Sequence, residues 1–154
     1  MANISAAGNS PLSERLPGTW RLLSRVDVEA SGLAHPDPAL GSDPEALLIY
    51  DCAGNFSAQF MKRDRSSAPA SGSASTTNNT QAKGGYDAYF GTYVIDDATG
   101  VVTQKLVGAL SEAHVGAVLS RQMNVHGNSL VISLDTTAWD GTPVTRTLIW
   151  ERVG

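Results

Sequence analysis

An all-β chain, folded as an eight-stranded up-and-down antiparallel barrel behind one short N-terminal helical turn, is the architecture this sequence predicts. Three observations carry the expectation. Of eight strand-like stretches, most alternate apolar and polar residues with a period of two, which sends successive side chains to opposite faces of a sheet, and two, Ala46–Tyr50 and Phe56–Met61, are short apolar runs. Turns rich in Gly, Asn and Asp follow these stretches at fairly regular spacing, the chemistry of antiparallel hairpins. Helical periodicity is nearly absent. Closure into a barrel removes the sheet edges, and eight strands leave an interior able to hold one small ligand.

The elements follow in order. Residues 10–16 (SPLSERL) combine a capping serine, a proline in the first turn and Glu14, which predicts a helical turn that Pro17-Gly18 ends. From Thr19 to Glu29 comes the first strand, with Trp20, Leu22, Ser24, Val26 and Val28 on one face. Thr19, Arg21, Leu23, Arg25 and Asp27 lie on the other face, read as outward. Ala30 to Pro44, punctuated by prolines and glycines, reads as a loop over one end of the barrel. Ala46–Tyr50 and Phe56–Met61 form a hairpin around residues 51–55. In Phe56–Met61 either Phe56, Ala58 and Phe60 or Ser57, Gln59 and Met61 face inward, and the area of two aromatic rings favours the phenylalanines. Residues 66–85, rich in Ser, Ala, Thr, Asn and Gly, form a flexible loop that is either a lid over a site or an inserted segment.

The central hairpin spans Tyr86 to Leu110, turning at Asp96–Gly100. It sets Tyr89 and Tyr93 on one face of its first strand, and Gln104 beside Val102 and Leu106 on one face of its second. Val118–Val125 carries Arg121 and Met123 on its apolar face, Ser129–Asp135 follows a tight turn, and Val144–Val153 closes the chain. Residues 1–17 are thus an N-terminal segment and 18–154 a single barrel domain.

Composition excludes several functions. A chain of 154 residues and 16.2 kDa suits one domain with its own core. A net charge of -4 and no basic run longer than Lys62–Arg65 argue against nucleic acid or an anionic membrane surface as partner. The one cysteine, Cys52, cannot form an internal disulfide, and three scattered histidines offer no metal-ligand spacing, so no metal is expected. No stretch reaches the roughly 20 apolar residues of a membrane span, and the N-terminus lacks the features of a signal peptide. The expectation is a soluble cytoplasmic protein, monomer or homodimer, with no cofactor.

Inside such a barrel, Gln104 is a sparse polar group able to orient a ligand among apolar neighbours. Tyr89, Tyr93, Leu106, Arg121, Met123, Phe56, Phe60 and Trp150 complete the candidate ligand-binding set. Trp20 is expected to pack under a guanidinium at the closed end, that of Arg121 or alternatively of Arg152. His114, near a strand end at the barrel mouth, could act as acid or base if it turned inward. No Ser/His/Asp set, phosphate loop or dinucleotide fingerprint occurs.

Gly18-Thr19-Trp20 resembles the start of the lipocalin signature. The segments GTWRLLS (18–24), LLIYDCAGNFSAQFMKRDR (47–65), AYFGTY (88–93), VVTQKLVGAL (101–110), SRQMNVHGNSLVIS (120–133) and LIWERV (148–153) are similar, in that order, to bacterial and fungal lipocalin-like domain proteins. That resemblance implies a lipocalin-like barrel and a host of carriers and cofactor-free enzymes alike. It also marks two departures. Gln104 stands where the family often has histidine, and Glu112, Ala113 and His114 stand where it often has proline, asparagine and tryptophan. Glutamine can polarise a carbonyl but cannot take up a proton. The expected function is binding of a small hydrophobic or aromatic molecule in the lumen. The alternative is a cofactor-independent isomerase, cyclase or dehydratase on a secondary-metabolite or polyketide-like substrate. Its catalytic residues would be Tyr89, Tyr93, Gln104 and His114.

Overall fold

In the computed structural model, which describes residues 10–68 and 78–154, the alternating stretches become strands close to where the pattern places them. A short helix α1 (Leu12–Arg15) leads into β1 (Gly18–Glu29), β3 (Glu45–Tyr50), β4 (Asn55–Met61), β5 (Tyr86–Asp96), β6 (Val101–Ala109), β7 (Val118–His126), β8 (Ser129–Thr137) and β9 (Pro143–Arg152). The stretch from Ala30 to Pro44, expected as a loop, contains a two-residue strand β2 (Ala34–His35) paired antiparallel to β1. Neighbours in sequence are neighbours in the sheet from β3 to β9. β1 closes the ring, pairing β3 through Gly18–Arg21 and β9 through Trp20–Glu29. Apart from the appended β2, the result is a closed eight-stranded antiparallel barrel.

Inward and outward faces follow the alternation in β3, β4 and β7, where buried and exposed residues alternate along the strand. In β4 the inward set is Phe56, Ala58 and Phe60, the choice that ring burial favours. β1 departs from its pattern. The β1–β9 register shifts between Leu22 and Ser24, so Leu23 is the extra residue of a bulge and the faces exchange beyond it. Val26 becomes 44% exposed and Asp27 is only 4% exposed. The expectation that Val26 points in and Arg25 and Asp27 point out is therefore reversed, because one added residue inverts a period of two.

The lower end of the barrel is packed shut. Trp20 is fully buried and its indole Nε1 donates to the Leu16 carbonyl at 3.0 Å, tying α1 across the floor. The Arg152 guanidinium sits 4.3 Å from the centroid of the Trp20 ring and donates to the carbonyls of Pro17 and Arg15. Arg121, the first choice from sequence, has a different position: it holds the segment over the opposite end. Arg152 wins because Trp20 and Arg152 are direct partners in the β1–β9 ladder.

Gly91 marks a close approach of backbone to backbone. A Cβ there would lie 1.8 Å from the Lys105 carbonyl oxygen, at the irregularity where the β5–β6 register shifts.

Two substitutions test the floor. Trp20→Ala should cost about 3–5 kcal/mol as a core truncation. Arg152→Met should cost about 1–2 kcal/mol through the lost cation–π contact and the two bonded carbonyls. Urea unfolding measures both, and a change below about 0.5 kcal/mol in either would contradict this assignment of the floor.

Candidate functional site

The upper half of the barrel is hollow. A cavity of about 80 Å³ lies between the strands, room for roughly half a dozen waters at the ~10–15 Å³ each requires. Its lower wall is aromatic. Tyr50, Phe60, Tyr89 and Trp150 line it together with Leu48 and Leu148. Phe60 meets Trp150 edge-on at 5.8 Å and Tyr89 in a stack at 6.4 Å. Gln104, 3% exposed, reaches this wall from β6 and donates its amide to the Tyr50 hydroxyl, while its Oε1 has no partner among the described residues. The indole Nε1 of Trp150 is likewise buried without an acceptor.

The upper wall is charged. Arg25, Asp27, Asp37, Asp87, Arg121 and Arg146 all border the cavity. Arg146 grips Asp27 with two bonds of 2.6 and 2.8 Å, and Arg25 pairs with Asp37 at 2.5 Å. Burial alone would raise the Asp37 carboxyl, but the neighbouring Arg25 brings it below the ordinary carboxylate value. Among the described residues, Asp87 has no such cation in contact. Burial pushes its pKa up to about 6, against the opposing hydrogen bonds from the Thr80 hydroxyl and the Ala88 N–H. Burial also raises the Tyr50 and Tyr89 phenols, so both remain neutral hydrogen-bonding groups and neither is a base.

Residues from the second half of the 66–85 stretch cover the mouth. Asn79, Thr80, Gln81 and Ala82 line the cavity. Asn78 anchors this strap by a reciprocal pair with Ser120, its Oδ1 accepting from Ser120 N–H at 2.8 Å and its Nδ2 donating to Ser120 O at 3.1 Å. The bond pattern resembles one rung of a sheet ladder, at the part of β7 beyond its pairing with β8, which begins at Gln122↔Ser133. Asn78 adopts φ +59°, a left-handed backbone that asparagine tolerates better than most residues. Residues 69–77, the remainder of the expected loop, lie outside the described residues.

Of the candidates chosen from sequence, Tyr89, Gln104, Arg121, Phe60 and Trp150 meet in the cavity wall. Phe56, Leu106 and Met123 are buried in the core but do not border the cavity. Tyr93 lies near the floor, its hydroxyl bonded to the Asp51 carbonyl at 2.5 Å. His114 sits in a 3-10 turn (Glu112–His114) outside the cavity lining, where burial and then Lys83 lower its pKa. Sequence reasoning missed Arg25, Asp27, Tyr50, Asp87 and Arg146. Asp87 and Arg146 were within reach, since they share the inward alternation of Tyr89 and of Leu148 and Trp150.

A closed antiparallel barrel with a cavity enclosed at one end is of the lipocalin type, whose fold suggests ligand binding in the lumen. The chain belongs to the lipocalin-like domain family, whose model matches residues 17–153. None of the curated proteins matches it. Among the described residues, no helix is long and apolar enough to cross a membrane.

The raised Asp87 has a stability consequence. Because its folded pKa of about 6 exceeds its unfolded value, the native state holds the extra proton between the two. That contribution is fully present below about pH 4 and lost as pH rises through 6. Asp87→Asn should therefore match the wild type near pH 4 and exceed it at pH 7.5 by up to about 3 kcal/mol. Urea midpoints at the two pH values decide it; a difference that does not change with pH would show that Asp87 is not desolvated.

Proposed function

We propose that the protein binds a compact aromatic or apolar molecule in the lumen, with Tyr89, Gln104, Arg121, Phe60 and Trp150 as contacts. The observation that carries the reading is the pairing of an aromatic wall with two buried polar atoms lacking partners, Gln104 Oε1 and Trp150 Nε1. A buried, unsatisfied polar atom costs about 1–3 kcal/mol, so a bound group that completes its hydrogen bonds gains that amount in affinity. The cavity of about 80 Å³ is smaller than the ~300–1,000 Å³ of drug-sized sites, which favours a molecule of one or two rings and some displacement of the strap at residues 78–82.

The test is a titration of single- and two-ring aromatic fragments against isotopically labelled protein. Shifts should concentrate at the Gln104 side-chain amide and the Trp150 indole. Gln104→Leu, which keeps the side-chain volume and removes the polar amide, should keep the native spectrum and weaken the same fragments about tenfold. Unchanged affinity would remove Gln104 from the site.

Asp87 favours a second reading on one specific ground. A carboxyl with a pKa of about 6 facing an aromatic cavity can give or take a proton near neutral pH. A cofactor-independent isomerase, cyclase or dehydratase would use Asp87 for proton transfer, with Tyr89, Tyr50 and Gln104 as neutral hydrogen-bonding groups. Given a turned-over substrate, Asp87→Asn should lower kcat by about 10²-fold or more, and the wild-type pH profile should bend near 6. A flat profile with full activity in the variant would leave binding alone.

A further inference from the structure

Resting on the lumen as the binding site, we propose that its occupant is an aromatic carboxylate, with the carboxylate seated against Arg121 and a hydroxyl of the same molecule reaching Gln104. Arg121 is 5% exposed, and its bonding partners among the described residues are all uncharged. They are the Asn78 carbonyl at 2.9 Å, Asn78 Oδ1 at 3.3 Å, the Ser120 carbonyl at 3.0 Å, Asn79 Oδ1 at 3.5 Å, and the Tyr89 phenol. Among the described residues, no carboxylate lies within ion-pair distance of it. The other two arginines of the cavity are each matched, Arg25 by Asp37 and Arg146 by Asp27.

A guanidinium removed from water and bonded only to neutral acceptors gains strongly from an anion, and a planar carboxylate matches its fork of donors. The charge of the wall sets how many negative charges the occupant brings. Three arginines face three aspartates, and Asp87 carries a proton more readily than an ordinary carboxyl. The cavity therefore tolerates one added negative charge. A dianion such as a phosphate monoester would meet Asp27, Asp37 and Asp87 with no second unpaired cation. The rest of the molecule is fixed by its other neighbours. Phe60, Tyr89 and Trp150 offer ring faces and edges, and Gln104 Oε1 is a buried acceptor that a ligand hydroxyl can satisfy.

The experiment compares 4-hydroxybenzoate with its uncharged counterpart 4-hydroxybenzamide, titrated into the full chain at pH 7 and followed at the Gln104 and Trp150 side-chain signals. The wild type should bind the carboxylate at least tenfold more tightly than the amide, and Arg121→Gln should shrink that ratio to below about threefold. Should Arg121→Gln fail to fold, the wild-type ratio still decides. Equal affinities overturn the carboxylate and leave the lumen reading in place. Shifts from neither compound overturn both.

Discussion

Everything in the upper half of this barrel depends on how β1 closes it. β1 is hydrogen-bonded on both sides, to β3 near its start and to β9 along most of its length. The strand accommodates the ring with a bulge at Leu23, which bends and twists it locally. Below the bulge Trp20 and Leu22 point inward and seal the floor. Above it the inward positions are Arg25 and Asp27, so the same strand that builds an apolar base delivers two charges to the lumen. Arg146 on β9 and Asp37 in the loop after β2 answer those charges directly.

Buried ion pairs are a poor way to stabilise a fold, since desolvation of both partners offsets much of their attraction. The placement here concentrates them in one half of the lumen rather than spreading them through the core. The lower half is close-packed around Trp20, Leu16, Val102, Val125 and Leu130. The upper half has aromatic walls, charged rims and a polar strap. That division is what a binding site needs: a rigid floor made by packing, a few polar groups that fix orientation, and a cover held by hydrogen bonds that can exchange without unfolding the barrel.

Much of the architecture was legible because a period of two survives in most strands. Gln104 and Tyr89 were found inward by alternation alone, and the ring area of Phe56 and Phe60 resolved β4. The bulge was not legible. The alternation falters there, with Leu22 and Leu23 apolar and Ser24 and Arg25 polar in succession, but it resumes in the same phase at Val26 and Val28, so the pattern hides an extra residue whose effect is to invert the face assignments beyond it. The partner of Trp20 was likewise a matter of register, which two candidate arginines cannot settle without the ladder. Asn78 escaped notice for a different reason: its role comes from contact with a strand some forty residues away, inside a segment whose composition suggests only flexibility.

The proposed function requires that the lumen hold a small molecule. Native mass spectrometry of protein purified from its own host, with release and identification of any bound species, tests it most directly. Lumen binding predicts a stoichiometric mass increment that disappears on denaturation and belongs to a compact aromatic molecule. Host-purified protein of bare chain mass, that also takes up no aromatic molecule when challenged with the host's own small-molecule extract, would contradict it.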